Sequence, residues 1–393
     1  MSPPLKIAVC QRVCPEYNIP LFERLCARYD IEFVFSRFGQ QHAFFFDPAR
    51  LARVRYRTLR PLPFPLLPFR SRVLNKLSYL AHGTALVVQL AWRLVRGRYD
   101  VIVGGEYLRF ECVVAFIVAR LRGCLFVAAS DDWYWPRTRR DRLRVPLVRA
   151  MIRRAAALIA GGSKALEQFR ALGAGDTPIF NVFHTNVSVR PPELRAPAAD
   201  RFVLYVGRLD ERKGVEYLLT AFAEVRADHG DVRLKVLGRG ERLEALRALA
   251  RRLGIDAAVD FVGWVEHAEV DRYYAACAAF VLPSIFTADG GYEPFSNVVL
   301  EAMACGAPVI STTANGASWD VIESGVNGLV VPDRDAPALA QALRRLLDDP
   351  AAAEVMGRRG WETIRDRFNV DLMAERFGAA LDYVTRKALS ERA

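Results

Sequence analysis

Short β-branched runs alternate with longer stretches of helical apolar spacing along the whole chain, in two series. The first opens at Lys6-Ile7-Ala8-Val9 and continues through 31–35, 101–103 and 125–128; the second opens at Phe202-Val203-Leu204-Tyr205-Val206 and continues through 233–237, 279–282 and 309–311. Strands that alternate with helices fold as parallel sheets with crossover helices, so the expected class is α/β with two doubly wound, Rossmann-like domains. Pro191, Pro192 and Pro197 interrupt the alternation, which places the first domain at 1–190 and the second at 201–370. Residues 371–393 read as a final helix. At 393 residues, 52% hydrophobic and 25% charged, the chain has enough length for two cores.

Two segments of the second half have the composition of a ligand site. In Gly290 to Ile310, Gly290, Gly291 and Pro294 deny a helix before Ser296, a predicted N-cap, and Gly306 with Pro308 stops the helix about ten residues later. The amides near Asn297 and Val298 then lack intrahelical partners and sit at the positive end of the helix dipole, which suits a phosphate, with Phe295 and Ser296 just ahead of them as further donor-binding candidates. Glu293 and Glu301 flank that point. A carboxylate beside a phosphate repels it, but one placed further along accepts hydrogen bonds from sugar or ribose hydroxyls, so the pattern suits a nucleotide sugar. The other segment is Val203 to Gly214. An apolar run ends in Gly207 and a helix begins near Val215, so Arg208 and Lys213 lie on a strand-to-helix loop, where an open parallel sheet binds its ligands. Arg208 can fork onto phosphate oxygens and Lys213 adds a mobile charge. Gly238-Arg239-Gly240 is expected near the diphosphate, and Val262-Gly263-Trp264-Val265 around the base.

These segments closely resemble the family-4 retaining glycosyltransferases of GT-B fold. Glu293 and Glu301 match the Glu-x7-Glu signature, followed by Ala302 to Ile310 and by Glu323 to Val331, and Val203 to Gly214 matches the family's other strong motif. The resemblance implies two domains facing across a cleft, with the last helix crossing back onto the first. It also implies retaining transfer of a hexose-type sugar from a UDP- or GDP-sugar to a saccharide or lipid-linked acceptor. Arg208 and Lys213 would neutralise the leaving diphosphate, Glu293 would hold donor-sugar hydroxyls, and Glu301 the ribose. No cofactor or metal is expected, since cations and helix amides do the metal's work. A GT-B enzyme of another reaction type, such as an epimerase or phosphorylase, and a noncatalytic sugar- or lipid-binding module remain alternatives.

In the first half, Glu16 and Tyr17 follow the first strand and resemble the family's acceptor-side loop. Glu106 and the run Ser130-Asp131-Asp132-Trp133-Tyr134-Trp135 follow later strands. Many relatives carry a histidine where Ser130 or Asp131 stands, so Asp131 or Asp132 takes its place here. Two acids on such a loop also suit a helix cap. The three aromatics suit stacking on acceptor sugars or plain packing.

Charge divides unevenly: residues 1–190 hold 30 Lys and Arg against 13 Asp and Glu, and residues 191–393 hold 25 against 31. A basic acceptor domain points to an anionic acceptor or surface, and a membrane is preferred to nucleic acid, for which no module is present. Leu77 to Trp92 is too short to span a bilayer and reads either as a buried helix or as an interfacial one, preceded by the proline-rich 61–69. Seven cysteines without CxxC spacing read as reduced, buried thiols, and no zinc site is visible. The first strand starts close to Met1, so no signal peptide is expected, and the protein is placed in the cytosol or on the cytosolic membrane face.

Overall fold

A computed structural model describes residues 5–14, 18–36, 51–59, 72–107, 109–136, 138–185, 187 and 201–392. The chain forms two compact units, Met1–Phe183 with Met373–Ala393, and His184–Leu372.

Unit 1 is built on β1 (Lys6–Gln11), β2 (Asp30–Phe35), β3 (Tyr56–Thr58), β4 (Val101–Gly105), β5 (Leu125–Ser130), β6 (Ala157–Ala160) and β7 (Ile179–Asn181), in the order β3-β2-β1-β4-β5-β6-β7. Every neighbouring pair is parallel. Alternate side chains leave opposite faces of a strand, and both faces are apolar. One face, with Ala8, Cys10, Ile102, Phe126 and Leu158, packs against Leu90, Leu94, Val114, Val118 and Met151 of the helices Arg72–Arg96, Phe110–Arg122 and Val145–Arg153. On the other, Phe22 of the helix Ile19–Arg28 meets Phe33 at 4.2 Å between centroids. The C-terminal segment is fixed here too: the Tyr29 hydroxyl donates to Asp382 (2.6 Å) and lies 3.0 Å from the Gly378 carbonyl.

Unit 2 contains β8 (Phe202–Val206), β9 (Arg233–Leu237), β10 (Val259–Gly263), β11 (Ala279–Leu282), β12 (Val309–Thr312) and β13 (Leu329–Val331), in the parallel order β10-β9-β8-β11-β12-β13. Both sheets are doubly wound. Their order reverses between β1 and β4 and between β8 and β11, and a crevice for ligand opens at the carboxyl ends of the strands at such switch points.

The segment around Leu77 to Trp92 lies within one 25-residue helix, Arg72–Arg96. Leu90 and Leu94 point into the core while Val88 and Trp92 are exposed, so it is neither fully buried nor free. Among the described residues no helix is long and apolar enough to cross a membrane. Residues 61–69 lie outside the described residues. All seven cysteines are free; only Cys10, Cys112 and Cys277 are fully buried, and the other four are half-buried, which corrects the reading of all seven as buried.

Candidate functional site

At the carboxyl end of β8 the chain makes a close set of backbone contacts with its neighbours. The Gly207 amide donates to the Leu237 carbonyl (3.0 Å), Leu209 to Arg239 (2.9 Å), Gly238 to Gly263 (2.7 Å), and Ile285 to Arg212 (2.9 Å). The loops after β8, β9, β10 and β11 are thereby tied into one floor. Glycine makes this approach possible at two points. Gly238 has φ +142° and a Cβ there would lie 1.8 Å from the Gly207 carbonyl; Gly214 has φ +60° and its Cβ would lie 2.1 Å from the Pro283 carbonyl. Gly238→Ala should therefore push the β8 and β9 loops apart, costing on the order of 3 kcal/mol of stability. Thermal unfolding of the variant checks this, and an unchanged midpoint would refute the tight approach.

The floor carries charge. Lys213 ends a 3-10 turn, Glu211–Lys213, and its Nζ is hydrogen-bonded and ion-paired to Glu293 Oε2. The two residues are only 7% and 8% exposed. Arg212 donates to the Tyr292 carbonyl (3.1 Å) and stands 3.9 Å from Glu293. Arg208 is exposed and held by Asp210 at 3.0 Å. Burial alone raises the Glu293 pKa, but Lys213 and then Arg212 and Arg208 outweigh it, and the carboxyl ends below its ordinary value of 4.5. Arg208, Arg212 and Lys213 are thus gathered at this floor around the single buried carboxylate of Glu293, where an anion can bind.

Glu293 is fixed from behind. Its amide donates to the Ala314 carbonyl (3.1 Å) and its carbonyl accepts from Gly316 (2.9 Å), a parallel bridge to Asn315 beyond β12. Asn315 is itself held by Ser311 (3.0 Å) and caps Ala317 (3.2 Å).

The helix starts one residue after Ser296 and runs Asn297–Ala304, eight residues, ending at Gly306 with φ +73°. Ser296 occupies the N-cap position that the sequence indicates and is buried, and its side chain makes no capping bond. No acid lies in the first turn, so nothing there competes with an anion for the amides of Asn297 and Val298. Asn297 Oδ1 is buried without a partner at the same point. Phe295 lies against His184 at 6.5 Å. One turn on, Glu301 accepts from the Tyr274 hydroxyl (3.3 Å), whose pKa burial and then Glu301 push far up, so that it stays a donor. On the β10 side, Val265 is half-buried beside the exposed Trp264, over which Arg239 stacks at 5.9 Å.

In unit 1, Glu106 adopts a left-handed backbone (φ +53°) after β4 and accepts from Arg109 Nε at 2.6 Å. Burial opposes the Arg109 charge, but Glu106, Glu111 and Asp132 outweigh it and raise its pKa, which links the ends of β4 and β5 electrostatically. Asp131 and Asp132 are half-buried after β5, and the Asp132 amide donates to Ser130 Oγ (3.1 Å). The next helix is capped by Thr138 and Asp141, a capping box, rather than by either of these acids. Trp135 is buried against Tyr107 at 5.8 Å, Trp133 is half-buried and Tyr134 exposed. Glu16 and Tyr17 lie outside the described residues.

Sequence reasoning overlooked Asp210, Arg212, Tyr274 and the buried Glu111, whose carboxylate Ser36 contacts. Arg212 had a signal in its place between two selected cations. Tyr274 had none, because a helical tyrosine is ordinary core material.

The family described as Glycosyl transferases group 1 matches residues 189–363. Lipopolysaccharide core biosynthesis glycosyltransferase LpsE of Rhizobium meliloti is 34% identical over 191 residues, 49% of this chain and 52% of that protein. Glycogen synthase of Mycobacterium tuberculosis is 36% identical over 172 residues, 44% of this chain and 40% of that protein. The chain thus spans about half the length of the curated relatives it matches. Among solved structures, Anabaena Alr3699/HepE in complex with UDP superposes with a TM-score of 0.73 at 20% identity, covering 96% of this chain and 100% of that one. At that identity the likeness is one of fold, and the fold is GT-B.

Proposed function

On the match of residues 189–363 to the group 1 glycosyltransferases, we propose that the chain moves a hexose-type sugar from a UDP- or GDP-sugar to a saccharide or lipid-linked acceptor in envelope or exopolysaccharide synthesis. The relatives named for lipopolysaccharide core and glycogen synthesis, and the UDP bound by a structural neighbour, support the substrate class. The observation that carries the reading is the buried Lys213–Glu293 pair beside the uncapped start of the helix Asn297–Ala304.

Arg208, Lys213 and the amides of Asn297 and Val298 receive the diphosphate. Its departure breaks the bond from the anomeric carbon to the phosphate oxygen. The acceptor hydroxyl forms the new bond on the same face and passes its proton to the leaving phosphate, so the configuration is retained without a protein nucleophile. Glu293, kept ionised by its three cations, orients sugar hydroxyls and balances positive charge developing on the ring. Glu301 with Tyr274 takes the ribose, while Gly207, Gly238 and Val265 bound the nucleotide. Among the residues of unit 1, Asp131 is the proposed catalytic candidate, and Glu106, Asp132 and Trp133 the acceptor-side ones. The cations do the work of a metal, so activity should be independent of divalent ions. The excess of positive charge on residues 1–190 suits an anionic membrane surface, and seven free thiols suit the reducing cytosolic side.

Binding and slow hydrolysis of UDP-, GDP- and ADP-sugars, measured in chelator without acceptor, tests the reading. One nucleotide sugar should bind and release free sugar. Binding of none would remove the transferase assignment.

A further inference from the structure

The helices Arg72–Arg96, Phe110–Arg122 and Val145–Arg153 cover one face of the unit 1 sheet, and their outer surface has an unusual composition. Val88 (60% exposed) and Trp92 (55%) lie one turn apart on the first helix, and Ile117 (48%) and Leu121 (79%) one turn apart on the second, which packs beside it. Each of these positions has buried neighbours on the inward side, such as Leu90, Leu94 and Val118, so the exposed side chains are a second apolar stripe that the core does not use.

Along these two helices the charges, that of the buried Glu111 apart, have one sign. From 72 to 98 there is no Asp or Glu at all, and from 110 to 124 only Glu111, which is buried. Arg96, Arg98, Arg120 and Arg122 form no ion pair among the described residues, and Arg96 stacks over the Trp92 ring at 4.5 Å. A solvated helix face ordinarily mixes both signs, and a face that met a second copy of itself would set arginine against arginine. Apolar side chains and a tryptophan inside a ring of unpaired arginines match an acidic lipid interface, where the rings and aliphatic groups enter the headgroup layer and the guanidinium groups meet phosphates.

We propose that this helix face of unit 1 is the surface that seats the protein on an anionic bilayer. It rests on the reading that the basic unit meets a membrane, and adds which face does so. The test is co-sedimentation of the full chain with phosphatidylcholine vesicles, with and without phosphatidylglycerol. It compares the wild type, a Trp92→Glu/Leu121→Glu variant, an Arg96→Glu/Arg120→Glu variant and a Val355→Glu control on an exposed site of unit 2. Nucleotide-sugar binding serves as the check of folding. The wild type and the control should sediment only with the acidic vesicles, less so as salt rises, and each double variant should lose about tenfold or more in affinity while still binding nucleotide sugar. Double variants that sediment like the wild type would overturn the choice of face while leaving the membrane reading in place. A wild type that ignores acidic vesicles would overturn both. A dimer dissolved by Trp92→Glu/Leu121→Glu would make the face a self-interface and overturn the proposal.

Discussion

Lys213→Ala should reduce both nucleotide-sugar affinity and turnover, with kcat/KM falling by about a thousandfold. Two costs add in this variant. The diphosphate loses a charge-assisted donor, an effect of about 10²–10³ in rate for a preorganised group, and Glu293 is left buried beside only the more distant Arg212 and the exposed Arg208. Removing one partner of a buried pair costs about 3–5 kcal/mol because the other charge stays behind. The double variant Lys213→Ala/Glu293→Ala separates the two. It should recover much of the stability lost by the single change, since no charge is stranded, yet recover none of the activity. Thermal unfolding together with steady-state kinetics reads both arms. A single variant that keeps nucleotide-sugar affinity within a few-fold of wild type would show that Lys213 does not reach the phosphate.

Glu293→Gln should leave the fold and the diphosphate site in place while lowering transfer by about a hundredfold. The amide keeps the size of the side chain and a hydrogen bond for Lys213, but it removes the negative charge that the proposed transition state requires. Nucleoside diphosphate alone should bind the variant at least as tightly, because the excess positive charge grows. Transfer within about threefold of wild type would exclude a charge role for Glu293. The pH dependence has a definite sign. The folded-state pKa of Glu293 is lowered from the ordinary 4.5, so its ionised form contributes stability above about pH 4.5 that is lost as pH falls through the lowered value. The unfolding midpoints of wild type and Glu293→Gln should therefore differ at neutral pH and converge in acid. Curves that stay parallel down to low pH would mean that the pair contributes nothing through ionisation.

Local pattern carried much of the fold. Runs such as 233–237 and 279–282 became β9 and β11 with those bounds, because a short apolar β-branched run has few alternatives once helical stretches flank it. Ser296 was legible as the N-cap position, but whether its side chain makes a capping bond was not, because side-chain geometry depends on what packs over it. The three aromatics after β5 show the same limit. Their neighbourhood in sequence is one, yet Trp135 packs inward on Tyr107 and Tyr134 faces out.

Composition and spacing by themselves determined that this chain has two doubly wound domains, that Arg208 and Lys213 lie on a strand-to-helix loop, and that Glu293 and Glu301 flank a helix start. Those are properties of residues near one another in the chain, governed by periodicity, backbone freedom and capping. Only the tertiary structure decided that Lys213 and Glu293, 80 residues apart, share one buried contact, and that Tyr274 supplies a donor to Glu301. It alone decided which side of the helix Arg72–Arg96 was left uncovered. Pairing across that separation depends on how the loops after β8, β11 and β12 are brought together, and exposure depends on which neighbouring helix takes up each apolar face; neither is written in any local run of residues.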